Sequence, residues 1–259
     1  ISDQSFGVCV GVLLMTLWSG RRHLNLVITK AWHGQEPISY RFAVLGLIIG
    51  IGLLTGFWWA AGMSFWVAVL TIMIHFITIT VITRVRAELG PPIHDLRSMG
   101  PDVLLPKIFG MRTLGARNLS LFSFVYSFNR AYRGNAMPHQ LEGLKLAERI
   151  NVPSYRLSTA VMLTIVISPI TAFWVALHIG YRFGAIEVWL GSIFNRTQNW
   201  LSNPRSVDTA AIVAMIWGLS FSFLMTLVRL SFIWWPLYPV GYAISGTWAV
   251  NFFWFSVLI

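Results

Sequence analysis

Seven residues carry the chemistry open to this chain: His75, Glu88, His94, Asp95, Arg130, Arg133 and His139. His75 stands inside an uncharged run, 64–83, where Ser64, Ala68, Thr71, His75 and Thr78 recur at 4-3-4-3 spacing and so share one helix face. An ionisable side chain in such a run faces a bundle interior and is suited to carrying a proton. A neutral histidine bonded to a neighbouring helix is the plainer alternative. The other six lie in one polar block, 84–155. Arg130 and Arg133, with Arg84, Arg86, Arg97 and Arg117, are suited to gripping a carboxylate or phosphate through paired N–H bonds. Headgroup contact explains such arginines equally well. Asn129, Tyr132 and Arg133 fall within one helical turn and can form one donor cluster. His94-Asp95, and His139 with Glu142 at i,i+3, are metal-ligating types, but neither pair has the spacing of an established metal site. No phosphate loop, HExxH or GxSxG occurs. The sequence therefore assigns no catalytic residue, no metal and no cofactor.

The elements that must position these residues are set by composition. Of 259 residues, 56% are hydrophobic and 11% charged, with a net charge of +10. A soluble domain carries roughly 25% charged residues. So apolar a surface belongs in a bilayer. The basic residues border apolar runs, which points to topology and anionic headgroups and excludes nucleic acid. Cys9 is the single cysteine, so no disulfide within the chain and no cysteine zinc site can form.

The pattern predicts an all-α integral membrane protein, one polytopic domain with about six transmembrane helices: 5–20, 40–61, 64–83, 156–181, 207–228 and 247–259. The first is short against the roughly 20 residues a span needs. Residues 24–32 read as a helix in the headgroup plane. In the second span Gly46/Gly50 and Gly52/Gly56 form small-xxx-small pairs, which suit close helix packing. Gly62-Met63 turns the chain into the third span. Residues 93–112, with Gly100-Pro101, Pro106 and Gly110, predict an irregular path. Residues 118–128 are too few to cross a hydrocarbon core of about 30 Å and predict a re-entrant or buried short helix. Residues 138–150 predict an amphipathic helix with Glu142–Lys145 and Lys145–Glu148 pairs. On the fourth span, kinked at Pro169, Thr164, Ser168, Thr171 and His178 share a face, which predicts a polar seam against the third. Residues 182–206 read as a loop. Trp234-Trp235-Pro236 breaks the fifth span from the sixth. The chain starts at Ile1 and stops inside an apolar run, as a portion truncated at both ends would.

With 118–128 not crossing, sixteen of the nineteen Lys and Arg fall on one side. The positive-inside rule makes that side cytoplasmic.

Arg86-Ala-Glu-Leu-Gly-Pro-Pro92, His94-Asp95, Phe128-Asn-Arg-Ala-Tyr-Arg133, Met137-Pro-His-Gln-Leu-Glu-Gly143 and Trp235-Pro-Leu-Tyr-Pro-Val-Gly-Tyr-Ala-Ile-Ser-Gly246 are long motifs. They resemble a family of large bacterial polytopic membrane proteins of unknown function, of planctomycete type, faintly similar in layout to oligopeptide transporters. The resemblance implies an inner-membrane, multi-pass protein and brings no activity with it. Three functions fit the sequence. The first is a secondary transporter for a peptide or organic anion, with a path along the seam between spans three and four that opens onto Glu88, His94, Arg130 and Arg133. The second is a membrane enzyme acting on lipid-linked substrates through His94, Asp95 and His139. The third is a non-catalytic scaffold subunit. The implied partners are anionic lipid headgroups, the rest of a longer chain or neighbouring helices, and a second copy in a homo-oligomer.

Overall fold

The computed structural model describes residues 2–33, 39–90, 99–129, 132–184, 187–232, 234–235 and 237–245. Among them the ordered elements are all helical: α1 (Ser2–Ser19), α2 (Arg21–His33), α3 (Ser39–Ala60), α4 (Phe65–Leu89), α5 (Pro101–Phe109), α6 (Met111–Asn129), a 3-10 turn (Tyr132–Gly134), α7 (Ala136–Arg149), α8 (Ser154–Phe183), α9 (Glu187–Ser202), α10 (Thr209–Ser231) and α11 (Pro239–Ser245).

Among the described residues, four helices are long and apolar enough to cross a membrane: Tyr40–Ala60, Phe65–Glu88, Tyr155–Phe183 and Thr209–Ser231. They coincide with four of the six predicted spans. The first predicted span forms an 18-residue helix that is not among the four. Its opening Ser-Asp-Gln dilutes the apolar stretch. The sixth lies outside the described residues.

Local chemistry fixes the ends. Asp208 caps α10 by accepting from the Ala211 N–H at 3.0 Å, and Asn135 caps α7 by accepting from Met137 at 3.2 Å. Gly90, at φ 61°, closes α4 with its N–H on the Arg86 carbonyl. Residues 101–109 are helical, not irregular. Pro101 sits at the helix start, where it needs no hydrogen-bond donor, and Pro106 is absorbed within the helix. Residues 182–206 are not a loop either, since 187–202 form α9. No proline interrupts that stretch, and its apolar residues recur at helical spacing.

α1 and α10 lie side by side and run parallel, with Gln4 against Gly218, Gly7 against Met215 and Gly11 against Ser222. These small residues at i,i+4 are the close-packing pairs of this molecule. Gly46, Gly50, Gly52 and Gly56 are not, because a Cβ on any of them would meet nothing within 4 Å. Only 6% of the spanning part of α3 is buried, and none of α8.

The short apolar segment of the polar block is the lower part of α6, which has 19 residues. Gly115, at φ 76° and ψ 160°, leaves helical geometry, yet helix continues on both sides of it. α6 runs parallel to α4. Ser64 meets Asn118 near the start of both helices, and His75 meets Asn129 eleven residues further along each. α5 climbs from Gly100, beside Asn129, to a turn at Gly110. There Met111 donates to the Arg205 carbonyl at 3.0 Å and Asp208 to the Lys107 carbonyl at 2.9 Å. α5 and α6 therefore make a hairpin. After it, α7 returns to the C-terminal end of α4, where Glu142 pairs with Arg86. Glu142 is thus drawn to α4, and of the two predicted pairs on α7 only Lys145–Glu148 is an ion pair.

The hairpin redistributes the basic residues. Arg84, Arg86 and Arg229 sit at the C-terminal ends of α4 and α10. Lys107 pairs with Asp3 at 2.6 Å, and Arg117 lies against Gly62, both at the opposite end. Arg112 accompanies them in the first turn of α6. The sixteen-to-three division read from the sequence therefore loses these three residues.

Candidate functional site

The polar face of α4 finds its partner in α6. Ser64 donates its N–H to Asn118 Oδ1 at 2.9 Å, and Asn118 Nδ2 returns a bond to Ser64 Oγ at 3.1 Å. Thr78 and Thr83 turn their hydroxyls onto their own backbone, to the carbonyls of Ile74 and Ile79. His75 reaches outward, with Nδ1 3.0 Å from Asn129 Oδ1. Tyr132, 1% exposed, donates to the same oxygen at 3.1 Å. Its ring lies 5.9 Å from the imidazole, centroid to centroid. An amide oxygen can only accept, so His75 carries its proton on Nδ1 and leaves Nε2 as a basic lone pair.

From Asn129 the chain of contacts runs inward. Asn129 Nδ2 lies 3.5 Å from Asp102 Oδ1, a long contact, and Arg196 Nη2 donates to Asp102 Oδ2 at 2.9 Å. Asp102 is 1% exposed. Gly100 makes the approach possible, since a Cβ there would lie 2.4 Å from Asp102 Oδ1 and 2.7 Å from Asn129 Cβ. Arg196 is clamped between two rings, 4.3 Å from the Tyr126 centroid and 4.5 Å from that of Trp200. Beside it a hydroxyl pair, Ser123 and Thr197, fastens α9 to α6.

Burial pushes the Asp102 carboxyl above the usual carboxylate range, and the Arg196 guanidinium pulls against that rise. Burial, then the Asp102 charge, pushes the Tyr132 phenol up as well. The amide of Asn129 separates His75 from Asp102. A carboxamide does not relay a proton, so Asn129 couples the two groups by orientation.

Of the seven predicted residues, His75 joins this cluster. Glu88 does not: it lies thirteen residues further along α4, about 20 Å away, where it pairs with Arg84 and accepts from the Tyr238 hydroxyl. His139 lies on α7. His94, Asp95 and Arg130 fall outside the described residues. Arg133 lies in the 3-10 turn, and its side chain is outside the description. Among the described residues no group of three or more His, Cys, Asp or Glu is placed to hold a metal ion.

The predicted seam between spans three and four does not form. Thr164, Ser168, Thr171 and His178 on α8 are exposed. Thr164 and Thr171 satisfy their hydroxyls on the carbonyls of Ala160 and Ile167, and His178 stacks on Trp174 of its own helix. Asp102 and Arg196 were not foreseen. Asp102 in a first helical turn reads as an ordinary dipole partner, and Arg196 fell in the segment read as loop. The one available signal was that Asp102 is the only acid in the stretch 99–111, where Lys107 is the only other charged residue.

No curated protein and no solved structure matches the chain. The profile of a family of unknown function, DUF6785, matches residues 1–259, and the chain belongs to that family.

Proposed function

We propose that this membrane protein is a secondary transporter, or part of one, that moves a peptide or organic anion, with His75 carrying the coupling proton. The observation behind this reading is the chain His75–Asn129–Asp102–Arg196, buried at Asn129 and Asp102 and half-buried at its two ends, which joins α4, α6, α5 and α9. Ionisable groups set so deep are costly to bury and belong to proton or substrate paths. The α5–α6 hairpin, entering and returning between longer helices, adds the broken-helix character of transporter sites. Its layout is in keeping with a resemblance to oligopeptide transporters. The basic end of α4 faces the cytoplasm of a bacterium of planctomycete type, against anionic headgroups. To Glu88, His94, Asp95, Arg130, Arg133 and His139 we assign substrate binding, and α3 and α8 meet further chain or a second copy. The test is uptake of a labelled dipeptide and a labelled dicarboxylate into reconstituted vesicles under an imposed pH gradient. His75→Ala, with its circular dichroism unchanged, abolishes gradient-driven uptake. Unchanged uptake by that variant removes His75 from the mechanism.

A further inference from the structure

A second polar feature lies where the α5–α6 turn meets the connection from α9 to α10. Met111, Arg196, Asn199, Trp200, Asn203 and Arg205 line a half-open cleft of about 360 Å³. Arg196, Asn199, Trp200 and Asn203 stand at i, i+3, i+4 and i+7, so one line of side chains runs up α9 into the cleft. Arg205 comes from the segment just beyond, held in place by its carbonyl, which accepts from the Met111 N–H.

The charge of this cleft is only partly compensated. Two arginines line it, Arg196 pairs with Asp102 on the inner side, and among the described residues no acidic side chain lines it. Arg205 has no carboxylate partner among the described residues. Arg196 gives Nη2 to Asp102 on the inner side, while its Nε–H is buried with no acceptor. An orphaned, charged donor of this kind marks a missing acceptor. Arg205 lacks the counter-charge that Asp102 gives Arg196, and an anion in the cleft would supply it.

We infer that this cleft binds the oxyanion end, carboxylate or phosphate, of a small organic acid. Arg205 and Arg196 grip the oxyanion, since guanidinium forks match both geometries. The carboxamides of Asn199 and Asn203 add donors, and the Trp200 indole takes the apolar remainder. The volume holds roughly twelve water-sized groups at about 30 Å³ each, which is more than a bare inorganic ion fills.

The site shares Arg196 with the transport reading, but binding alone reads it out, so its failure and the failure of that reading are distinguishable. The experiment is calorimetric titration of the purified full chain in phosphatidylcholine nanodiscs with phenyl phosphate, benzoate and inorganic phosphate. Phenyl phosphate and benzoate bind, and more tightly than inorganic phosphate. Arg205→Gln, at an exposed position, leaves the melting temperature unchanged and weakens both organic anions at least tenfold, whereas Arg205→Lys retains part of the affinity. Repeating the titration with phosphatidylglycerol in the nanodisc separates two sources of the same chemistry. Competition identifies a lipid headgroup phosphate as the occupant, and its absence identifies a soluble acid. Failure of the wild type to bind either organic anion, or equal binding by Arg205→Gln, overturns the inference.

Discussion

Gly218→Ala tests how the bundle is held together. An ideal Cβ on Gly218 would lie 2.1 Å from the Gln4 carbonyl oxygen, and one on Gly7 would lie 1.9 Å from that of Met215. Both obstacles are backbone, so no side chain can swing aside. Ordinary contact begins near 3.4 Å, and α1 and α10 would have to part by about 1.3 Å to admit the methyl group. Overpacking of this kind costs about 3 kcal/mol. Alanine recovers about 1 kcal/mol of helix propensity, which leaves a net loss of about 2 kcal/mol. Gly50→Ala is the internal control. It adds the same methyl group in a helix where nothing lies within 4 Å, so it should be neutral or stabilise by up to about 1 kcal/mol. The two variants should therefore differ by about 2 to 3 kcal/mol, roughly thirty- to 150-fold in the unfolding equilibrium constant. Sodium dodecyl sulfate titration of the protein in mixed micelles, followed by circular dichroism, measures this difference. If the two midpoints agree to within about 0.5 kcal/mol, the close packing of α1 on α10 is refuted.

Other consequences can be measured with the same unfolding assay. Asp102→Leu strands a partly buried guanidinium and should cost about 3 kcal/mol, the lower end for a broken buried pair because Arg196 is 26% exposed. Adding Arg196→Met should restore at least half of that loss, and a strictly additive double variant would show that the two residues are not coupled. The raised Asp102 carboxyl keeps its proton in the folded state at a pH where the unfolded chain has released it. Its contribution to stability is therefore present at low pH and falls as pH rises from the ordinary carboxylate range through the folded value. Asp102→Asn should abolish that slope, and an identical pH profile in the variant would contradict it. Glu142→Gln removes the pair with Arg86, but with the carboxylate 45% exposed the loss should stay below about 1 kcal/mol and shrink further in high salt.

How much of this could be read from the sequence varies by element. The face of α4 that carries His75 was legible because period and hydropathy agree along an uninterrupted run. Its partner was not, since Asn129 lies 54 residues away, just past a segment that looked eleven residues long. Helix resumes on both sides of Gly115, which at φ 76° kinks the chain between 111–114 and the stretch that ends at Asn129, and sequence rules see the break but not the resumption. Spacing of small residues showed which helices are able to pack closely but not which do. Gly46 and Gly50 have the same i,i+4 interval as Gly7 and Gly11, and only the latter meet another helix. The hydroxyl stripe on α8 failed as a signal for a related reason. Threonine in a helix can satisfy itself on the carbonyl four residues back, so a polar stripe does not require a polar neighbour.

α8 has one further property. From Arg156 to Arg182 it rises about 39 Å at 1.5 Å per residue. That is close to the full thickness of a bilayer with its headgroups, about 40–45 Å. Tyr155 and Arg156 mark one end and Tyr181 and Arg182 the other, with none of the spanning segment buried between them. Such a helix works as a plumb line. Its aromatic and cationic ends sit level with the two headgroup layers only when it stands nearly upright. A thinner bilayer makes it lean, and because α8 follows directly on α7, the lean is delivered to the helix that pairs with Arg86 on α4.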